Sequence, residues 1–370
     1  MIRDKSQGSR RLALAAAALA SLALLAGCGG LWADDPKEEA PAYAGYLFMT
    51  DTNSGKVFTY DPAARAASPT SFAAVGQKNA GEIAFYAGIG YVAVGYGTGQ
   101  GVYSFDPAAG NPSFSKLGGS IAAQYFAFVG PTKAYVSSYG GGLYSFDPSN
   151  RAAGLSASPV AGTEGLTLQE IAYCGGYLYA ADNGNGKILR IDPATGTVVA
   201  TISASAAGTT GIAAGSLGAQ TGVFVANTGG YDSLSYAPLP GSIDFLSHGA
   251  SAASQVVSSA GPASIHPARL AQTADGSLVA TGYGNTYRIT FSGGAATAAE
   301  LLAGGASFGS FDLACKGGLV YIPSAVTSDY VSYSNQLYIL DAGGAQAAWS
   351  PVTVMPTATD AISNLAFYED

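Results

Sequence analysis

The feature that most constrains this 370-residue chain is a short motif that keeps returning along it. Gly55-Lys56-Val57-Phe58-Thr59-Tyr60-Asp61-Pro62 recurs as Gly101-Val102-Tyr103-Ser104-Phe105-Asp106-Pro107, then as Gly142-Leu143-Tyr144-Ser145-Phe146-Asp147-Pro148, then as Gly186-Lys187-Ile188-Leu189-Arg190-Ile191-Asp192-Pro193. Looser copies follow at Ser242-Ile243-Asp244-Phe245, Tyr287-Arg288-Ile289-Thr290 and Leu337-Tyr338-Ile339-Leu340-Asp341. From Asp61 to Asp192 the steps are 45, 41 and 45 residues, and the 149 residues from Asp192 to Asp341 hold three more of about 50. One supersecondary unit is therefore repeated seven times.

Each copy is preceded by another aromatic-rich strand after a glycine turn, such as Gly90-Tyr91-Val92-Ala93-Val94 or Gly176-Tyr177-Leu178-Tyr179. A further strand lies upstream, as in Glu82-Ile83-Ala84-Phe85-Tyr86, and another downstream of Asp-Pro, as in Thr197-Val198-Val199-Ala200-Thr201-Ile202. Four short antiparallel strands per unit of 41 to 52 residues describe a β-propeller blade. The expected fold is all-β: a seven-bladed β-propeller of four-stranded antiparallel blades over residues 42–370. Scarce Glu, Lys, Gln and Met and abundant Gly, Ser, Thr, Tyr and Val agree. The first unit lacks an inner strand of its own, and the chain finishes on Asn364-Leu365-Ala366-Phe367-Tyr368, which matches Glu82–Tyr86 closely. The C-terminal strand is thus expected to complete the first blade and close the ring.

Within this frame, Tyr177 to Asp192 resembles the repeat of the bacterial YVTN and NHL-type propellers, and Gly222-Val223-Phe224-Val225-Ala226-Asn227-Thr228 has the same character. The resemblance implies a seven-bladed fold but no single activity, because such propellers include binding proteins, scaffolds, lactonases and sugar-acid hydrolases.

The N-terminus reads as an address. Arg3, Lys5, Arg10 and Arg11 precede an apolar run from Leu12 to Ala26, 15 residues long and broken only by Ser21. That is short of the roughly 20 residues of a membrane span and suits a secretory signal. It ends in Leu25-Ala26-Gly27-Cys28, which resembles the lipobox of bacterial lipoproteins. The resemblance implies a signal peptide over residues 1–27, lipidation of Cys28, a polar tether over residues 28–41, and membrane attachment through the lipid. Gly29 after the cysteine, with no aspartate there, is similar to the pattern of outer-membrane sorting, so an envelope address at the outer membrane is expected.

Without the leader's four basic and one acidic residues, the chain keeps 12 basic against 23 acidic side chains, a formal charge of −11. With no basic stripe, nucleic acid is not an expected partner. Two histidines, His248 and His266, cannot build a histidine-rich metal centre, and haem, zincin, nucleophile-elbow and phosphate-loop motifs are missing from the sequence. Cys174 and Cys315 fall in the fourth and seventh units and are expected to be separate thiols. The Asp-Pro pairs recur with the blade and read as turn openers. Asp51-Thr52-Asn53-Ser54-Gly55 and Asp182-Asn183-Gly184-Asn185-Gly186 are loosely calcium-loop-like, but both lack the glutamate at the twelfth position and sit where a hairpin turn is needed.

One constellation follows from the ring. The first residues of the inner strands gather at one mouth of the channel, and alignment assigns Glu82, Tyr125, Glu170, Gly211, Arg269, Asp312 and Asn364 to it. Glu82, Glu170, Asp312 and Asn364 offer oxygens to a divalent cation, the only cofactor suggested; His266 is the one imidazole near enough to serve as a general base. Alternatively Arg269 balances the acids of a solvated channel. Two long loops on the same face carry Tyr231 and Tyr236, and Tyr330 and Tyr333, residues suited to recognition. The leading expectation is a lipid-anchored envelope propeller that binds an envelope protein or polysaccharide through this mouth, with Tyr231 and Tyr330 on the rim. The alternative is a metal-dependent lactonase or sugar-acid hydrolase at the same place.

Overall fold

Strands in this chain read as near-continuous apolar runs because each sheet is packed between two others. In the second strand of the first, second and fourth repeats, Leu47–Asp51, Ile89–Val94 and Tyr177–Asp182, almost every residue is buried. The computed structural model describes residues 43–369 apart from 69, 110, 236–238, 259–264, 283–285, 293–294, 301–309, 311, 324–334, 342–344, 349 and 358–359. The residues assigned to leader, lipidation site and tether, Cys28 included, lie outside the described residues, as do Tyr236, Tyr330 and Tyr333.

Seven antiparallel sheets form a ring of seven blades, as the repeat predicts. Their inner strands are Ile362–Phe367, Ala80–Tyr86, Ala123–Gly130, Leu168–Cys174, Thr209–Leu217, Pro267–Gln272 and Ala314–Lys316, in blades 1 to 7. Each touches the next, and the seventh touches the first. The closure is the one expected: Leu47, Phe48 and Met49 pair with Phe367, Ala366 and Leu365. The inner side of Leu47–Asp51 is thereby paired at the joint between the chain's two ends.

The core is divided among the blade interfaces, one apolar cluster to each. Blades 1 and 2 enclose Phe48, Val57, Val92, Phe105 and Tyr368. Blades 7 and 1 enclose Met49, Phe58, Tyr60, Leu337 and Ile339. Each such side chain contributes about 1.5–3 kcal/mol when fully buried, so the ring is stabilised at every interface and has no single centre. Cys174 and Cys315 are free thiols in different clusters.

The Asp-Pro pairs are turn caps. Asp61 Oδ1 accepts the Ala63 and Ala64 amides, and Asp106, Asp147 and Asp192 accept those of Ala108, Ser149 and Ala194 in the same way. Blade 3 departs from the expected fourth strand. Asp147 caps a 3-10 helix over Pro148–Ala153, and the outer edge is reduced to the Phe146–Leu155 bridge and a bond from the Val160 amide to the Leu143 carbonyl. Pro148 at the first helical position, where no N–H is needed, suits the helix, although the same dipeptide opens turns in blades 1, 2 and 4.

Candidate functional site

In six blades the inner strand carries a bulge at the same position. Gly81-Glu82 lies opposite Ala93, Gln124-Tyr125 opposite Ser137, Gln169-Glu170 opposite Ala181, Thr210-Gly211 opposite Ala226, Ala268-Arg269 opposite Thr281, and Ser363-Asn364 opposite Thr50. A bulge sets two residues against one and re-aims both side chains. Hydroxyls opposite the bulge take up the disturbed backbone groups: Thr50 Oγ1 donates to the Gly81 carbonyl and accepts the Asn364 amide, and Ser137 Oγ accepts the Tyr125 amide. The second residue of each pair is the one that the sequence alignment assigned to the mouth.

There the structure brings Glu82, Tyr125, Glu170, Arg269 and Asp312 together, with Asn364 beside them. Arg269 reaches across from blade 6. Its Nη2 lies 3.0 Å from Glu82 Oε2, its Nη1 2.8 Å from Glu170 Oε1, and its Nε 3.6 Å from Asp312 Oδ1. The guanidinium carbon stands 4.0 Å from the centre of the Tyr125 ring, a cation–π contact. The two remaining blades are tied in through backbone: the Ile212 amide of blade 5 donates to Glu170 Oε2 at 2.9 Å, and the Leu365 amide of blade 1 donates to Asp312 Oδ2 at 2.8 Å. Gly211 contributes no side chain because a Cβ there would lie 2.6 Å from the Ala268 carbonyl oxygen, so blades 5 and 6 approach by backbone.

The Arg269 side chain is 5% exposed, those of Glu82 and Glu170 20%, and that of Asp312 11%, which makes this a nearly dehydrated centre with more negative than positive groups. Burial pushes the Glu82 carboxyl up to about 8 against the pull of Arg269, with Asp312 and Glu170 adding to the rise. Burial likewise raises Glu170 and Asp312, again opposed by Arg269. For Arg269 burial disfavours the charge, but Glu170, Tyr125, Asp312 and Glu82 outweigh it and hold the guanidinium firmly ionised. The Tyr125 hydroxyl, buried beneath it, is pushed up to about 12.

The oxygens required for the expected divalent cation are thus directed at a guanidinium that occupies the middle of the mouth. Among the described residues no three His, Cys, Asp or Glu side chains are arranged to hold a metal ion. The four candidate ligands do not fit such an ion as they stand. His266 is not part of the centre's ion pairs; its Nδ1 lies 3.3 Å from the Thr228 carbonyl in the long loop of blade 5.

Beside the plugged channel opens a cleft of about 660 Å³, lined from blade 1 to blade 4 by residues that include Asn53, Asn79, Glu82, Tyr96, Gln124, Gln169 and Asn364. Tyr96 and Tyr139, in the short loops between second and third strands of blades 2 and 3, are 52% and 49% exposed, with ring centroids 5.9 Å apart. Tyr231 and Leu234, in the corresponding loop of blade 5, are exposed as well. Sequence reasoning singled out Tyr231 but missed Tyr96, Tyr139, Gln124 and Gln169. The glutamines had a signal: strict alternation sends them between blades, where an amide is out of place unless a bulge turns it out.

Fold and site together define a seven-bladed β-propeller whose channel mouth is closed by a buried ion-pair centre. No known protein family matches the sequence, and no curated protein does either. Solved structures with a similar fold include apo AztD from Citrobacter koseri, at TM-score 0.54 and 11% identity over 84% of this chain and 81% of that one. Another is dihydro-heme d1 dehydrogenase NirN in complex with DHE, at 0.54 and 13% over 83% of this chain and 65% of that one. A third is a catalytically inactive virginiamycin B lyase from Staphylococcus aureus with quinupristin, at 0.54 and 11% over 75% and 85%. At these identities the likeness concerns the fold alone.

Proposed function

We propose that this protein is a binding module of the bacterial envelope, held to the membrane by lipid on Cys28, outer membrane before inner, and engaging its partner through the channel-mouth face. The observation that carries the reading is the contrast between channel and rim. Carboxylates that would serve catalysis are engaged by Arg269, while the Tyr96–Tyr139 pair stands exposed at an open polar cleft and Tyr231 is exposed on the corresponding loop of blade 5. Exposed tyrosines on loops held by a rigid sheet supply contact area at low entropy cost. Tyr330, at the remaining long loop, belongs to the proposed rim by its place in the repeat.

The test is photocrosslinking in intact cells, with a benzophenone amino acid at position 139, 231 or 330 and, as control, at Val199 on the outer strand of blade 4. Adducts from the first three positions and none from Val199 are expected. Equal yield from all four positions would remove the mouth face from its assigned role.

A further inference from the structure

Resting on the reading of the mouth face as the binding face, we infer that the cleft beside the channel takes an uncharged, hydroxyl-rich chain, that is, a neutral glycan. Three observations carry this. The first is the state of the lining amides. Gln169 is half-buried in the cleft wall, and among the described residues no protein group bonds its amide. Gln124 uses Nε2 on the Ala122 and Ala123 carbonyls, at 3.4 and 3.1 Å, and Asn79 uses Nδ2 on the Tyr96 carbonyl at 3.3 Å; the oxygens of both amides accept nothing from the described residues. Asn79 is exposed, but Gln124 and Gln169 are half-buried, and such an amide with an uncommitted edge is unfavourable unless a ligand or water meets it. An amide offers a donor and an acceptor side by side, the complement of adjacent hydroxyls on a sugar ring.

The second observation is charge. Glu82 is the ionisable side chain of the wall besides the phenols, and it is held by Arg269 at 3.0 Å. A cationic ligand therefore meets no free carboxylate, and an anionic one meets no free cation, only a centre with an excess of acids. The excess of acids disfavours an anion, and no carboxylate of the wall is free to pair with a cation, so a ligand meets chiefly neutral amides and hydroxyls.

The third is shape. The cleft's volume of about 660 Å³ falls within the roughly 300–1,000 Å³ of small-molecule sites. Its floor is backbone at Gly81 and Gly95; a Cβ at Gly95 would lie 2.8 Å from Gln124 Nε2 and crowd the amide. At the rim the Tyr96–Tyr139 pair provides aromatic faces, whose negative π cloud attracts the C–H face of a sugar ring. An extended peptide would ask for apolar side-chain pockets, whereas this wall offers polar side chains and glycine backbone.

The experiment is calorimetric titration of the purified full chain with three neutral hexasaccharides, cellohexaose, maltohexaose and the hexamer of N-acetylglucosamine, and with hexagalacturonic acid as the charged probe. One neutral hexasaccharide is expected to bind at one site per chain, and the charged hexamer at least about tenfold more weakly, because a buried charge would go unpaired. Tyr96→Ala and Gln169→Ala, both at positions outside the packed core, should each weaken the neutral ligand by about fivefold or more, the loss of one stacking or hydrogen-bonding contact. The inference is overturned if no neutral hexamer binds, if the charged one binds as well as the neutral ones, or if both variants bind like the parent. Should the hexamers fail while crosslinks still form from positions 139 and 231, the glycan class falls and the mouth face stands; failure of both removes the mouth face too.

Discussion

Replacing Arg269 by methionine tests whether the mouth is an ion-pair plug that holds the ring together. The substitution keeps much of the side-chain volume and removes the cation facing Glu82, Glu170 and Asp312 at 3.0, 2.8 and 3.6 Å. Removing one partner of a buried ion pair costs about 3–5 kcal/mol, because the remaining charges stay desolvated without compensation. Here the carboxylates touch solvent at the mouth, so the lower end applies and about 3 kcal/mol is expected at pH 8. The loss must depend on pH. Burial already raises all three carboxyls, and without Arg269 only the hydrogen bonds to Glu170 and Asp312 still oppose it, so the folded variant takes up protons above the ordinary carboxylate range. At pH 5 more of that proton uptake is complete, so the loss falls toward that of the contact with Tyr125 and imperfect filling, about 1 kcal/mol. Urea unfolding followed by circular dichroism, at pH 5 and pH 8 and constant ionic strength, reads the difference. A loss below about 1 kcal/mol at pH 8, or one of equal size at both pH values, would refute the plug.

Other expectations concern single features of the chain. Glu82 holds its proton up to about 8 in the folded protein against an ordinary 4.5, so its contribution to stability is complete below about pH 4.5 and is lost as pH rises through 8. Glu82→Gln should flatten the stability profile between pH 5 and pH 8 by up to about 1.4 kcal/mol per pH unit, and parallel profiles would contradict the shift. Gly211→Ala places a methyl group 2.6 Å from the Ala268 carbonyl oxygen and should lower stability by about 1–3 kcal/mol, readable in the same urea titration; an unchanged midpoint would show that blades 5 and 6 separate easily. Ending the chain after Ala361 strips the partner of Leu47–Asp51 and removes Ile362 and Leu365 from the core between blades 7 and 1. The truncated chain should lose cooperative unfolding and aggregate through the exposed edge, whereas a soluble product with the parent's midpoint would overturn ring closure as a stabilising device. Cys28→Ser should abolish incorporation of an alkyne-tagged fatty acid, and labelling that survives the change would place lipid elsewhere.

The blade plan was legible because its signal is periodic: the same glycine turn, aromatic strand and Asp-Pro step recur, and a register once found in blade 4 can be carried to the others. That transfer located Glu82, Tyr125, Glu170, Arg269, Asp312 and Asn364 at one mouth without knowledge of any contact. What each side chain does there was not legible. Whether Arg269 meets three acids or stands apart from them depends on distances across the ring, between residues up to 187 positions apart, and no local pattern encodes those. Gln124 and Gln169 were hidden by the bulge, since a strand read with strict alternation points them into an apolar interface. Tyr96 and Tyr139 sit in short glycine-rich turns, where the sequence carries no sign of a binding loop. The outer edge of blade 3 was not legible for the opposite reason: Asp147 caps a helix with the same Asp-Pro dipeptide that caps turns in the other blades.

Glu82 connects the two halves of the site, because it belongs both to the ion-pair centre and to the cleft wall. Around it stand Arg269, Glu170, Asp312 and Tyr125, and their balance leaves its carboxyl with a proton up to about pH 8. A neutral chain seated in the cleft would displace water from the face of Glu82 that is still solvated and deepen its burial, which favours the protonated form further. Binding and proton uptake are then linked, so affinity should be level below the free protein's titration near pH 8 and fall above it, by up to tenfold per pH unit. Glu82→Gln mimics the neutral form and should bind equally well across that range. An affinity that rises above pH 8, or falls just as steeply in the glutamine variant, would separate the cleft from the plug and leave Glu82 with a role in holding the ring alone.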